Sequence, residues 1–201
     1  MILDSGCLRP RIQNPESSMS SHHIIREDQE PALLIMDANA VDFEQVQELL
    51  EWSPTVIITE QALTEVLRWG IKIDIVIARD SSISNLSSSL QDQSPVKVLS
   101  YNHHEEPLSK ALNFLIASKQ KAVNVVAAES LEKFESFSPL DISVFQSGKR
   151  WSFIRNGSYE KWFPAGRIVL TFPSNGQPDI KTERDGIVTI NRMGGFWVSE
   201  E

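Results

Sequence analysis

The side chains with the most chemical potential in this chain cluster around one apolar run. Ile73-Asp74-Ile75-Val76-Ile77-Ala78 is followed at once by Arg79-Asp80-Ser81-Ser82. Asp74, Asp80 and the later pair Glu105-Glu106 are hard oxygen donors of the kind a divalent cation takes. Arg79 carries a fixed planar charge that suits phosphate oxygens directly. Each also has a plainer reading: Asp74 as a carboxylate facing a helix start or the surface, and Arg79 as a solvated or ion-paired side chain. His103-His104, flanked by acids, reads as a solvated loop. Ser81-Ser82 has no base arrangement visible in the sequence, so nucleophilic catalysis is unsupported.

The elements that must position these groups follow from hydrophobic pattern. Apolar runs too short for helices, at Ala32–Met36, Thr55–Ile58, Ile73–Ile77, Val96–Leu99, Ala122–Ala127 and Ile142–Phe145, predict buried strands. Between them lie helical stretches. One runs from an Asp42 cap to about Trp52. A second runs from Ala62 to Trp69 and is closed by Gly70. A third opens with Pro107 and buries Leu108, Ala111, Leu112 and Leu115. Ile83–Gln91 reads as a serine-rich loop or weak helix, and Ser130–Phe137 as a short helix. Alternation of this kind predicts parallel βαβ units. In such a sheet ligands bind beyond the carboxyl ends of strands, which puts Arg79–Ser82 at the expected site.

Beyond Gln146 the pattern changes to short strands broken by Gly and Pro: Trp151–Arg155, Ile168–Phe172, Ile187–Asn191 and Phe196–Val198. The expected fold class is therefore α/β: a doubly wound, mainly parallel sheet domain over residues 31–145, then a small antiparallel β domain over 146–201. The β unit is too small to be secure alone, so it is expected to pack on the first domain, on a second copy, or on both. Residues 1–30 are polar and aperiodic and are expected to form an arm, with Met19 a candidate start and His22-His23 solvated. Trp69, Trp151, Trp162 and Trp197 are expected as core or dimer-interface anchors, and Trp52 as core.

Composition narrows the classes further. With 201 residues and a formal charge of -8, the surface repels phosphate backbones, so nucleic acid is not an expected partner. A single cysteine, Cys7, excludes an internal disulfide framework and a cysteine zinc site. No apolar run is long enough to span a membrane, and the reading is a soluble, cytoplasmic protein without a membrane partner. There is no G-x-x-x-x-G-K-[ST] loop, no G-x-G-x-x-G fingerprint and no G-x-S-x-G elbow.

Over roughly residues 22–201, a series of partial motifs in order resembles thiamine pyrophosphokinase. Glu60-Gln61-Ala62-Leu63 stands where that family has an Asp-Gly-Ala-Leu-like turn. Gly70-Ile71-Lys72-Ile73-Asp74 matches its GIKID helix exit, and Ala78-Arg79-Asp80-Ser81-Ser82 occupies the place of Gly-Asp-x-Asp-Ser. Glu106-Pro107-Leu108-Ser109-Lys110-Ala111-Leu112 parallels Thr-Asp-x-x-Lys-Ala-Leu. Lys121–Val126, Glu160–Ala165 and Asp185–Ile190 are similar to later strands of the family. The resemblance implies an α/β domain that takes ATP and Mg²⁺. A β domain would complete a thiamine site across a homodimer, and a pyrophosphoryl group would pass from ATP to the thiamine hydroxyl. What survives of the family pattern is Asp74, Ser82, Lys110 and an acid at Glu60. Together with Asp80, Arg79 and Glu106, read from the residues themselves, the candidates are Asp74, Asp80 and Lys110 as catalytic, Glu60, Arg79 and Ser82 as cofactor-binding, and Asp74, Asp80 and Glu106 as metal-binding.

The departures from the family pattern fall where the chemistry sits. In ungapped register its two aspartates become Arg79 and Ser81, and a guanidinium at a ligand position repels the ion. Pro107 replaces a later aspartate. Ser130–Glu135 replaces a Gly-Arg-Arg-x-Asp-His-like element, and the β domain is shortened near Thr182–Asp185. The expectation is a thiamine pyrophosphokinase-family protein with weak or no activity. The alternative is an inactive dimeric protein that binds another small phosphorylated ligand through Arg79.

Overall fold

Buried, β-branched runs in this chain form sheet, and the intervening amphipathic segments cover it. The computed structural model describes residues 30–137, 139–174 and 179–201. The expected arm before Glu30, with Cys7, Met19 and His22-His23, lies outside the described residues. In chain order the elements begin β1 (Ala32–Ile35), α1 (Phe43–Leu50), β2 (Val56–Thr59), α2 (Leu63–Arg68), β3 (Ile75–Arg79) and α3 (Ile83–Ser89). Then come β4 (Lys97–Tyr101), α4 (Pro107–Ala117), β5 (Ala122–Val126) and β6 (Asp141–Gln146). The remainder is strand: β7 (Lys149–Ile154), β8 (Ser158–Phe163), β9 (Ile168–Phe172), β10 (Ile180–Lys181), β11 (Gly186–Asn191) and β12 (Phe196–Glu200).

A ten-stranded sheet has the order β10-β9-β12-β7-β6-β5-β1-β2-β3-β4. The six strands from β6 to β4 pair in parallel. Strand β7 then turns back and pairs antiparallel with β6, so the antiparallel part continues the same sheet rather than standing apart. A second, two-stranded sheet, β11-β8, lies over it through Phe163 and Ile190, which share an apolar cluster with Val169, Phe196 and Val198.

Helices cover both faces of the parallel part. Val46 of α1, Val66 of α2 and Leu86 of α3 join one core cluster with Leu33, Ile58 and Val76. Leu108, Ala111, Leu112 and Leu115 of α4 join the other, with Leu34, Ile57 and Ile77, as the sequence pattern predicts. From β4 the chain crosses back through α4 to β5, on the far side of β1. The strand order therefore reverses between β1 and β5, the point where an open α/β sheet usually leaves a crevice. There the backbone pairing of β1 with β5 continues one step past the strands. The Met36 and Asp37 amides both donate to the Val126 carbonyl (2.8 and 3.3 Å), and the Ser147 amide donates to the Ala40 carbonyl at 3.0 Å.

Several expectations need correction. Helix α1 ends at Leu50 rather than Trp52, and Trp52 is 63% exposed rather than core. Asp42 has the extended backbone of a cap, but its side chain makes no capping bond. Strand β3 starts at Ile75, so Asp74 lies before the strand and not within it. Residues 80–89 are helical throughout, a 3₁₀ turn running into α3. Strand β10 has no counterpart in the sequence reading, and β8 (Ser158–Phe163) is absent from the hydrophobic pattern, being touched only by the family resemblance at Glu160–Ala165. Trp197 is fully buried, while Trp162 is 57% exposed.

Candidate functional site

Strands β2, β3 and β4 end side by side, and their last residues are where the polar groups collect. Arg79 closes β3 and is in direct register with Tyr101, which closes β4. Glu60 follows β2, and its amide donates to the Ile77 carbonyl at 2.9 Å, which fixes it beside β3. The Glu60 carboxylate accepts the Arg79 backbone N–H on Oε2 at 3.2 Å and lies 3.8 Å from Arg79 Nε through Oε1. Arg79 Nε also donates to the Tyr101 hydroxyl at 3.3 Å. The hydrogen bond to Tyr101 and its charge, with a further contribution from Glu60, raise the Arg79 guanidinium above its already high ordinary value. Arg79 is a permanent cation in this setting. Glu60 is largely shielded, while the Arg79 side chain is 63% exposed.

The loop after β4 is organised around Glu105. Its Oε2 accepts the Asn102 backbone N–H and side-chain amide, both at 3.1 Å, and its Oε1 lies 3.8 Å from Lys110 Nζ. Asn102 Oδ1 in turn accepts the His104 N–H at 2.9 Å. The His103 and His104 rings stand 3.8 Å apart on the surface. Glu106 is the residue before α4, with extended backbone. Its charge acts on Lys133, whose ammonium is raised chiefly by its hydrogen bond to Glu129 and the charge of Glu129, with Glu106 a smaller contributor.

Asp80 and Ser82 bound a 3₁₀ turn after β3. Asp80 is exposed and Ser82 half-buried, and neither makes a side-chain cap. Asp80 begins a helical turn, so its side chain does not follow the alternation of the strand before it. Asp74 is at the opposite end of β3. Its Oδ2 accepts the Val56 N–H at 2.8 Å, and its own N–H donates to the Val56 carbonyl at 3.1 Å. Six residue steps, most of them strand, separate Asp74 from Asp80, on the order of 15–20 Å. The three candidate metal ligands, Asp74, Asp80 and Glu106, thus do not meet.

A Mg²⁺ site needs several oxygen donors at near-octahedral positions. At the strand ends Glu60 is engaged by Arg79, and Glu105 by Asn102 and Lys110. Among the described residues no three His, Cys, Asp or Glu side chains are placed to hold a metal ion. Two of the strand-end carboxylates, Glu60 and Glu105, are thus engaged by groups of the chain itself. What the arrangement offers chemically is one ion-paired arginine beside a phenol, with two imidazoles on the neighbouring loop and a lysine in the first turn of α4. Tyr101 is the residue that sequence reasoning missed. Its signal was its position as the last residue of the strand neighbouring β3.

No protein-family profile matches this chain, and no curated protein matches it in sequence. Solved structures do match it in fold. It is similar to the thiamin pyrophosphokinase of yeast, with a TM-score of 0.62 at 8% identity over 86% of each chain. The enzyme from Candida albicans superposes with a TM-score of 0.56 at 6% identity, over 87% of this chain and 90% of that one. The thiamine pyrophosphokinase of Bacillus subtilis gives 0.55 at 10% identity, over 84% and 94%. The chain has the thiamine pyrophosphokinase-like fold: a mixed sheet with helices on its parallel part and a second, antiparallel sheet.

Proposed function

We propose that this protein is a divergent member of the thiamine pyrophosphokinase family that has lost most or all of the metal-dependent transfer of pyrophosphate from ATP to thiamine. The observation that carries this reading is the Arg79–Glu60 contact. Where the family resemblance puts a metal-binding aspartate, the chain has a cation already paired to the neighbouring acid. Pyrophosphoryl transfer brings together crowded phosphate oxygens, and the ion that neutralises them is essential to the electrostatics. One arginine held by Glu60 supplies less charge and no coordination template. Of the other candidates, Lys110 remains beside the strand ends as a phosphate-steering group, Ser82 as a hydroxyl at the same tip, and Asp80 as a solvated carboxylate.

The test is direct formation of thiamine diphosphate from thiamine, ATP and Mg²⁺ with the full chain. The expected result is no turnover above the uncatalysed background. Turnover that disappears in Asp80→Asn would overturn the reading.

The homodimer implied by the same resemblance has support in the outer face of the small sheet. There Trp162 and Ile187 are directly paired across β8 and β11 and are 57% and 65% exposed. Sedimentation of the natural chain and of Ile187→Glu checks it, a dimer converting to monomer being the expected result.

A further inference from the structure

At the amino ends of β2 and β3, away from the strand-end acids, lies a solvent-open cavity of about 670 Å³. That size is in the range of small-molecule sites. Two features give it chemical character. Phe43 at the start of α1 and Trp69 at the end of α2 stack with ring centroids 5.2 Å apart and an interplanar angle of 28°. The stack forms part of the lining, with Trp69 only half-buried. Asp74 and Glu51 contribute carboxylates to the same lining. The single ammonium there, Lys72, is committed elsewhere, donating to the carbonyls of Gln93 and Pro95. The cavity therefore presents two anionic groups and an aromatic stack, with its one cation tied back to the chain.

The cavity is held in shape by backbone. Gly70 takes φ +70° and ends α2 directly after Trp69. Gln93 fixes the following turn, its Oε1 accepting the Ile73 N–H at 3.0 Å and its amide donating to the Ile71 carbonyl at 3.3 Å. Asp74 is anchored through Oδ2 on Val56. A carboxylate accepts at both oxygens and at more than one site on each, so the anchored group still has acceptor capacity for a ligand.

We propose that this cavity is a binding site for a flat aromatic cation that carries N–H donors, an amidinium or a protonated amino-heterocycle. The ring would lie against the Trp69–Phe43 stack. The cationic N–H groups would meet Asp74, with Glu51 as the second counter-charge. Stacking favours a planar ring. A cation gains both from the indole face and from the carboxylates, and charge-assisted bonds to carboxylate are the strong ones. An anion of the same shape is repelled. The proposal is independent of the transferase reading, because it uses the other end of the sheet.

Benzamidine is a suitable probe, with benzamide as its neutral isostere and benzoate as its anionic one. Calorimetric titration of the full chain is expected to give saturable, one-site benzamidine binding and none by benzamide or benzoate at the same concentrations. Asp74→Asn keeps an oxygen to accept the Val56 N–H while removing the charge, and is expected to weaken benzamidine at least about tenfold. Glu51→Gln, on the exposed end of α1, is expected to weaken it by less. Urea midpoints and far-ultraviolet circular dichroism verify that each variant is folded. If Asp74→Asn is unfolded, Glu51→Gln together with the benzamide comparison decides. No saturable benzamidine binding, or equal binding of benzamide, overturns the proposal. So does undiminished affinity in a folded Asp74→Asn.

Discussion

Glu60 and Arg79 are joined twice, once through the Arg79 backbone N–H at 3.2 Å and once through its side chain at 3.8 Å from Nε. Acid and base at neighbouring strand ends thus neutralise each other at the tip of β3. The double variant Arg79→Asp, Ser81→Asp reverses this. It removes the cation, frees Glu60 and adds two carboxylates at the same tip. Without metal it should be less stable than the natural chain, through like-charge repulsion. Mg²⁺ should then stabilise the variant, by about 1.4 kcal/mol at ten times its dissociation constant, and leave the natural chain unmoved. Urea unfolding with and without the ion reads both. Equal stabilisation of the natural chain would mean that a metal seat already exists.

Much of the parallel sheet was legible in the sequence, because strands buried on both faces leave uninterrupted apolar runs such as Ala32–Ile35, all four residues of which are buried. The apolar face of α4 was legible for the same reason at helical spacing. What escaped lacked such a signal. Strand β8 is exposed at most positions and exists because six of its residues pair with β11. Asp74 sits between isoleucines and looked internal to a strand. Its amide and carbonyl bond to Val56 and Lys97 just before the β3 ladder begins. At the site, the rule about strand ends found Arg79 and Asp80, and the family resemblance added Glu60. The Glu60–Arg79–Tyr101 contact depends on which strands are neighbours and in what register, and no local pattern encodes that.

Two glycines share a backbone angle and differ in surroundings, which separates two causes of strain. Gly70 and Gly157 both have φ +70°. A Cβ on Gly70 would meet nothing within 4 Å, whereas one on Gly157 would come within 2.3 Å of the Arg192 carbonyl oxygen. Gly70→Ala should therefore cost only the left-handed conformation, about 1–2 kcal/mol. Gly157→Ala should cost clearly more, because backbone must move and the Arg192 N–H bond to the Gly157 carbonyl (2.7 Å) moves with it. Urea denaturation of the two variants gives the ranking directly.

Tyr159 and Glu200 predict the pH profile of the β12 region. Burial, then the hydrogen bond to Glu200 (2.6 Å) and its charge, push the Tyr159 phenol well above its ordinary value of 10. Burial alone would raise Glu200. Bonds from Lys161 and Tyr159, with the charges of Lys161 and Arg150, outweigh it and hold the carboxyl below its ordinary 4.5. Folding thus favours protonated Tyr159 and ionised Glu200. The Tyr159 contribution is present below pH 10 and fades as pH rises beyond it, because the unfolded phenol ionises first. The Glu200 contribution is present above about 4.5 and fades as pH falls through the depressed folded value. Tyr159→Phe should flatten the alkaline loss of stability, and Glu200→Gln the acid one, in midpoints measured across pH. Both groups are partly solvated, so the slopes should be shallow.

Trp197 links the antiparallel strands to the face covered by α4. It is fully buried, packs against Phe153 (5.0 Å between centroids) and edge-on to Phe134 (6.1 Å), and donates Nε1–H to Glu135 at 3.2 Å. Trp197→Ala should cost about 3–5 kcal/mol. Trp162→Ala, on the exposed small sheet, should cost far less in the monomer. Unfolding at low protein concentration compares the two.

The antiparallel hinge between β6 and β7 also dictates how this molecule tolerates being cut. Ending the chain at residue 146 would leave β6 with a raw border of unpaired amides and carbonyls, flanked by Val144 and Phe145 and stripped of Trp197. Such a fragment is a template for stacking on its own kind, so it should precipitate rather than survive as a free half. The two halves are in this sense one cloth, and proteases or truncation should find no seam at which to part them cleanly.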